Sequence, residues 1–255
     1  MAHSPTPINF KEASHEALFE LEGGSFWFRA RNRLLVWVME TYVPREDARY
    51  LELGCGTGFV LSAIERRFPA WSIVGSEALA SGLDRTRERV ERAELRQLDA
   101  RDLPYEGEFD VVGAYDVLEH IAEDEASLAQ IHQALKPGGV VVLTVPQHML
   151  LWGPADEYAH HVRRYDSRDL EAKLRAAGFR LRRVTSFVSF LLPVMLASRV
   201  MQKLRPSAYD PASEFSMAPG LDRALEAVLN LELALIRRGV RFPAGGSLLA
   251  VAEKA

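Results

Sequence analysis

From about residue 50 to 186, short and nearly continuous apolar runs alternate with longer stretches whose apolar positions recur at helical spacing. The runs predict strands at Tyr50–Leu53, Ser72–Ser76, Leu95–Leu98, Phe109–Ala114, Val140–Val145 and Phe179–Ser186. The intervening stretches predict helices over Phe59–Phe68, Ala80–Ala93, Glu123–Leu135 and Ser167–Ala177, the last closed by Gly178. Lys136–Gly139 (KPGG) reads as a turn before the most apolar strand, VVVLTV. Strands that are apolar along their whole length must be covered on both faces, so the pattern predicts a parallel α/β sheet between two helical layers.

The flanks depart from this alternation. The first 25 residues begin with Pro5 and Pro7 and continue into a helical patch around Ala13–Leu21. Phe26–Tyr42 (FWFRARNRLLVWVMETY) reads as a helix ended by Pro44, with Leu34, Trp37 and Val38 on one face and Arg29, Arg31 and Arg33 over the others. Near the C-terminus, Leu221–Arg238 is amphipathic, with Leu221, Leu225, Val228, Leu229 and Leu235 near one face. A turn from Pro243 to Gly246 leads to a last strand, Ser247–Val251. The run Thr185–Ser198 has no charges, but its 14 residues include Pro193, and a spanning helix needs about 18 or more. It reads as buried or interfacial.

The bulk numbers fit one large α/β domain with additions: 255 residues, 48% hydrophobic and 26% charged. The expected organisation is an N-terminal helical lid (1–45), a core (46–186), a helical insertion over the substrate side (187–240) and a final core strand (241–255). A net charge of −4 argues against a nucleic-acid partner. Cys55 is the only cysteine, which excludes an internal disulfide and a Cys-rich metal centre and fits a reducing compartment. With no apolar signal core in the first 20 residues, the expected location is cytoplasmic.

The chemistry concentrates first in YLELGCGTGFVL, where Gly54, Gly56 and Gly58 follow the first strand. Such a turn lies at the carboxyl end of the strand, where open α/β sheets bind ligands. A dinucleotide fingerprint is spaced G-x-G-x-x-G, whereas this one is G-x-G-x-G with Glu52 two residues ahead. A carboxylate there repels a pyrophosphate and suits an ammonium or sulfonium ligand.

LELGCGTG resembles the first motif of the class I S-adenosylmethionine (SAM)-dependent methyltransferases, and four further segments follow in that family's order: VGSEAL, LDARDLP, FDVVGAYDVLEHI and LKPGGVVVLTVP. The resemblance covers about residues 48–180. It implies a Rossmann-like seven-stranded sheet, mostly parallel with the last strand antiparallel, and SAM as cofactor. By position, it implies Gly54, Cys55, Gly56 and Gly58 around the cofactor and Glu77 with Ala78 at the ribose. It implies Asp99 and Ala100 at the adenine, and Tyr115, Asp116 and Glu52 at the methionine end. A finer resemblance, to small-molecule enzymes similar to ubiquinone-pathway O-methyltransferases, runs through VPQHMLLWGPADEYAHHVRRYDSRDLEAKLRAAGF, FWFRAR, FLLPVMLASRVMQKL and FPAGGSLLAVAEK.

The expected reaction is methyl transfer to a small-molecule acceptor, at oxygen. N-methylation and a non-catalytic SAM-binding sensor or scaffold stand as alternatives. Aminopropyl transfer lacks the acidic polyamine pocket it needs, and nucleic-acid methylation lacks an N-P-P-Y-type loop, YDVL standing in its place. If the acceptor must lose a proton, the candidate bases are His120, His148 and His161 (beside His160), each following a strand whose end would face the site. Tyr165 could orient substrate, and Arg163 or Arg164 could clamp an acid, against the plainer readings of a structural polar cluster and two solvated arginines. Cys55 lacks an evident activator and is not expected to act as a nucleophile. Phe26, Trp27 and Phe28 read as core anchors before lid residues. The apolar block 187–201 ends in Arg199, Lys203 and Arg205 and reads as a pocket wall or buried contact, ahead of membrane-surface contact. No metal site can be assembled from spacing, and the chain is expected as a monomer or homodimer.

Overall fold

The structure, a computed structural model, describes residues 12–204 and 217–255. Pro5, Pro7 and Arg205 lie outside the described residues. Seven strands form one sheet: β1 (Arg49–Leu53), β2 (Ser72–Glu77), β3 (Glu94–Gln97), β4 (Phe109–Tyr115), β5 (Leu135–Pro146), β6 (Phe179–Phe187) and β7 (Ser247–Lys254). Their order is β3-β2-β1-β4-β5-β7-β6, with β7 antiparallel to both neighbours and the other pairs parallel. This is the expected Rossmann-like sheet.

Side-chain alternation along the strands divides the interior into two cores. Tyr50, Val111, Val140 and Val142 face one layer, while Leu51, Leu53, Val112, Val141 and Leu143 face the other. On the first side lie α2 (Phe26–Tyr42), α3 (Phe59–Arg67), α4 (Ala80–Arg87) and α9 (Pro219–Arg237); on the second lie α5 (Asp124–Ala134) and α7 (Ser167–Ala176). The remaining α-helices among the described residues are α1 (Glu12–Glu22), α6 (Pro154–Tyr158) and α8 (Leu192–Leu204).

Two local expectations change. The charged helix expected over Ala80–Ala93 stops at Arg87. The chain beyond it folds back onto Glu65, whose carboxylate accepts the backbone N–H groups of Glu91, Arg92 and Ala93 at 2.7–3.0 Å, a tertiary capture that outcompetes helix propensity. The KPGG segment does not reverse the chain but is a bulge inside β5: Phe109 pairs with Leu135 and Val111 already with Val140. The apolar run after β6 buries Phe187, Val188 and Leu191 and leads into α8, where Val194, Val200, Met201 and Leu204 are exposed. Among the described residues, no helix is long and apolar enough to cross a membrane.

Charges that look merely solvated in sequence tie the additions together. Arg29 binds both Asp222 and Glu226 of α9, and Arg33 reaches Glu226 at 2.7 Å. Asp222 also accepts the backbone N–H of Phe26 at 2.8 Å, so α9 caps the start of α2. The two helices therefore meet as one unit beside the carboxyl ends of the central strands.

Candidate active site

Strand order reverses between β1 and β4, and the crevice at their carboxyl ends opens into a cavity of about 940 Å³. Its floor is the glycine turn. Gly54 has φ +62° and a Cβ there would stand 2.6 Å from Val117, so only glycine fits. Gly56, at φ +54°, faces open space, and its N–H is held at 3.0 Å by Glu77 from the end of β2. Glu77 also accepts the N–H groups of Ala78 and Leu79 at 2.9 and 3.1 Å. Burial raises its pKa despite these three donors. Gly58 does not line the cavity: it stands behind the turn against Thr86 and opens α3 in a left-handed conformation.

On the deep side, Glu52 is 2% exposed and accepts the Tyr50 hydroxyl at 2.7 Å, which in turn lies 3.2 Å from the Tyr115 hydroxyl. Burial pushes Glu52 up to about 8, against the pull of Tyr50 and Arg31. Asp116 pairs with Arg31, which α2 aims into the cavity and lays 4.5 Å above the Trp27 ring. Asp99 and Ala100 line the outer side. Burial works to raise Asp99, but hydrogen bonds from the Arg101 side chain and N–H outweigh it and hold the carboxylate below its usual range. Cys55 is buried and its thiol is pushed up by that burial, which fits a packing role inside the turn.

Helix α1 closes over this half. Glu22 accepts the Thr57 hydroxyl at 2.6 Å and pairs with Arg89, while His15 meets the Ser81 hydroxyl at 3.0 Å. The sequence carries no site motif in α1, and only its place within the expected N-terminal lid (1–45) points to this position.

The other half of the cavity holds a titratable corner under apolar walls from Trp27, Leu191, Met195 and Leu225. Glu119 and His120 come from a short 3₁₀ turn after β4, and His161 from the loop after α6. His161 Nδ1 lies 2.9 Å from Asp156, and its Nε2 lies 4.0 Å from Glu119. Asp156 is itself fixed by Arg164 at 2.7 Å and by the Gly153 N–H at 2.9 Å. Burial drives His120 down to about 3, helped by the two neighbouring imidazoles. Glu119 is fully buried and raised well above the carboxylate range, by burial and then by the Asp116 charge.

Two expected site residues stand elsewhere. His148 is outside the cavity lining: its N–H bonds the Tyr165 carbonyl at 2.8 Å where the Tyr165 segment pairs alongside the end of β5, so strand-end position alone misplaced it. Tyr165 is 1% exposed in the second core, with its hydroxyl on Asp124 at 2.7 Å, too deep to orient a substrate. Arg163 meets Asp124 and the Ala122 carbonyl, and Arg164 is buried on Asp156, so neither is simply solvated. Phe26, Trp27 and Phe28 all line the cavity, although Phe28 also packs as a core residue. Sequence reasoning missed Arg31, Glu119 and Asp156. Glu119 stood beside His120 in the LEHI segment, and that adjacency was the signal available.

A profile of the methyltransferase-domain family matches residues 20–184, and the chain belongs to that family. With this fold it implies SAM as the cofactor. Among curated proteins, the chain is 37% identical over 105 residues to a ubiquinone biosynthesis O-methyltransferase of Cereibacter sphaeroides, covering 39% of this chain and 42% of that one. It is 28% identical over 128 residues to a trans-aconitate 2-methyltransferase of Deinococcus radiodurans, covering 47% and 49%. The chain spans about half the length of the curated relatives it matches. Among solved structures, the cyclase SpnF aligns over 98% of this chain and 99% of its own, with 21% identity and a TM-score of 0.61, a likeness of fold.

Proposed function

We propose that this chain transfers a methyl group from SAM to a small-molecule acceptor, at an oxygen. The observation that carries the reading is that one cavity joins the glycine turn to the corner formed by Glu119, His120 and His161. The residues fit the cofactor: bare backbone at Gly56, an acid at the end of β2, and a buried carboxylate with a tyrosine pair on the deep side. In this reading Glu77 grips the ribose hydroxyls beside Ala78, with Asp99 and the Ala100 backbone at the adenine. Glu52, Tyr115 and Asp116 border the methionine end. When bound, the cofactor supplies an electrophilic methyl on a positively charged sulfur.

The chain's own work is mostly positioning. Holding an acceptor in line can supply effective molarities of ~10⁵–10⁸ M. The apolar walls exclude water and hold the acceptor's carbon frame, while the corner takes the hydroxyl. Asp156 fixes the His161 tautomer so that Nε2 faces inward, able to accept a proton. The N-terminal helices act as the lid, with α1 over the cofactor and Trp27 at the acceptor.

The finer choice, an acceptor like that of the ubiquinone-pathway relative, rests on the Cereibacter match and the apolar walls. A carboxylate acceptor, as the trans-aconitate relatives' names suggest, is less favoured because Arg31 and Arg164 each already meet a carboxylate. Incubation with methyl-labelled SAM and a panel of phenols, hydroxyls, carboxylic acids and amines tests the proposal. Label on a phenol or hydroxyl supports it. Tight cofactor binding with no transfer to any member would instead indicate a SAM-binding sensor.

A further inference from the structure

The Glu119 carboxylate is fully buried, and neither of its oxygens has a hydrogen-bond partner among the described residues. Orphaned buried carboxylates are costly, and an unsatisfied one at a cavity wall points to something that occupies the space beside it. His120 and His161 stand around it. One ligand-type atom from each of the three side chains lies within 4.8 Å of the others, and the two imidazole rings meet edge to face with centroids 4.7 Å apart.

We propose that Glu119, His120 and His161 form a binding site for one divalent transition-metal ion. Two imidazole nitrogens and one carboxylate oxygen are a donor set that suits Zn²⁺, Co²⁺, Mn²⁺ or Fe²⁺ over Ca²⁺. The supports behind the rings match what metal-ligating histidines use. His161 Nδ1 is held by Asp156 at 2.9 Å, which leaves Nε2 facing Glu119, and the His120 ring is held by the Ala159 carbonyl. Asp156 is anchored in turn by Arg164 and the Gly153 N–H, so the His161 ring is fixed from behind. Ligand atoms about one such ion sit about 3–3.5 Å apart, so side-chain movements of roughly 1 Å complete the site. All three residues line the cavity, which leaves the ion's remaining position open to it.

The placement deepens the acceptor reading given above: a hydroxyl oxygen in the open position would release its proton to solvent more readily, and His161 would then serve as ligand and not as base. The metal site itself rests on the three side chains and is tested without any acceptor or cofactor. The sequence concealed it, because Glu119 and His120 are neighbours while His161 arrives from beyond the fifth strand.

The test uses the full chain, stripped with chelator and then titrated with Co²⁺ alone, with the visible ligand-field spectrum and bound-metal stoichiometry as readouts. One Co²⁺ per chain with a ligand-field band is expected, displaced by Zn²⁺. Glu119→Gln and His161→Ala should each weaken binding by at least the about 10–100-fold that loss of a mere supporting partner causes, while His148→Ala, outside the cavity, leaves it unchanged. Wild-type stoichiometry below about 0.1 ion per chain overturns the proposal whatever the variants do. So does binding that survives both Glu119→Gln and His161→Ala, since it would belong to another surface. Thermal unfolding of the variants separates a lost ligand from a lost fold. If metal binds but no acceptor is methylated, the acceptor reading fails and the metal site stands.

Discussion

Glu77→Ala strikes the point where the glycine turn and the second strand meet. The carboxylate accepts three backbone N–H groups, from Gly56 at 3.0 Å, Ala78 at 2.9 Å and Leu79 at 3.1 Å. Hydrogen bonds to a charged group contribute about 1.5–3 kcal/mol each when lost without replacement. Here the cavity lets water reach the freed donors, and burial already raises the carboxylate's pKa, so part of that stabilisation was offset. The expected net loss of stability is therefore ~1–3 kcal/mol, well below the sum of three bonds. If Glu77 also grips the ribose, affinity for S-adenosylhomocysteine should fall by a further ~1–3 kcal/mol, about 5–150-fold. Urea unfolding without ligand reads the first quantity and calorimetry with S-adenosylhomocysteine the second. A variant that loses stability but keeps its affinity within about twofold would show that Glu77 only braces the turn. One that keeps both would refute the reasoning for the turn as well.

Glu52 makes stability pH-dependent: its folded pKa of about 8 lies above the ordinary 4.5, so the folded state keeps a proton that the unfolded chain has lost. Stability should fall as pH rises from 4.5 towards 8, by up to ~1.4 kcal/mol per unit from this group, and Glu52→Gln should flatten that slope in urea midpoints. An equal slope in the variant would remove Glu52 as its source. Tyr165→Phe removes buried bonds to Asp124 and the Leu118 carbonyl and should cost ~1–2 kcal/mol in urea unfolding with turnover unchanged; a selective fall in turnover would return Tyr165 to the site. His161→Ala should slow labelled-methyl transfer by about 10²–10⁴-fold with cofactor affinity kept, while His148→Ala stays near wild type. Equal effects of the two would contradict the cavity assignment.

The sheet was legible because its strands are apolar over their whole length and its helices repeat at helical spacing; Phe26–Tyr42 coincides at both ends with α2. Where long-range contacts override local preference, legibility ended. Glu65 captures residues 91–93 and shortens α4, and the KPGG segment is absorbed as a bulge opposite Phe109. The glycine turn after β1 could be read because its glycines fall at alternate positions of one short stretch and answer a backbone requirement, as at Gly54. The corner of Glu119, Asp156 and His161 could not, because these residues come together only when the loop after β5 packs against the turn after β4. That packing includes the Val162 N–H on the Glu119 carbonyl at 2.8 Å. His148 stands outside the lining because proximity to a strand end in sequence does not say which way a side chain leaves the backbone, and Tyr165 follows the structural polar-cluster reading rather than the substrate-orienting one. The Tyr165 side chain leaves towards Asp124.

The most direct test of the central claim, that cofactor and acceptor share one cavity, is a crystal structure with S-adenosylhomocysteine bound. The account predicts the ribose on Glu77, the adenine beside Asp99 and Ala100, and the thioether sulfur open towards Glu119 and His161. A sulfur turned away from that corner, or a ligand seated outside the crevice between β1 and β4, would contradict it.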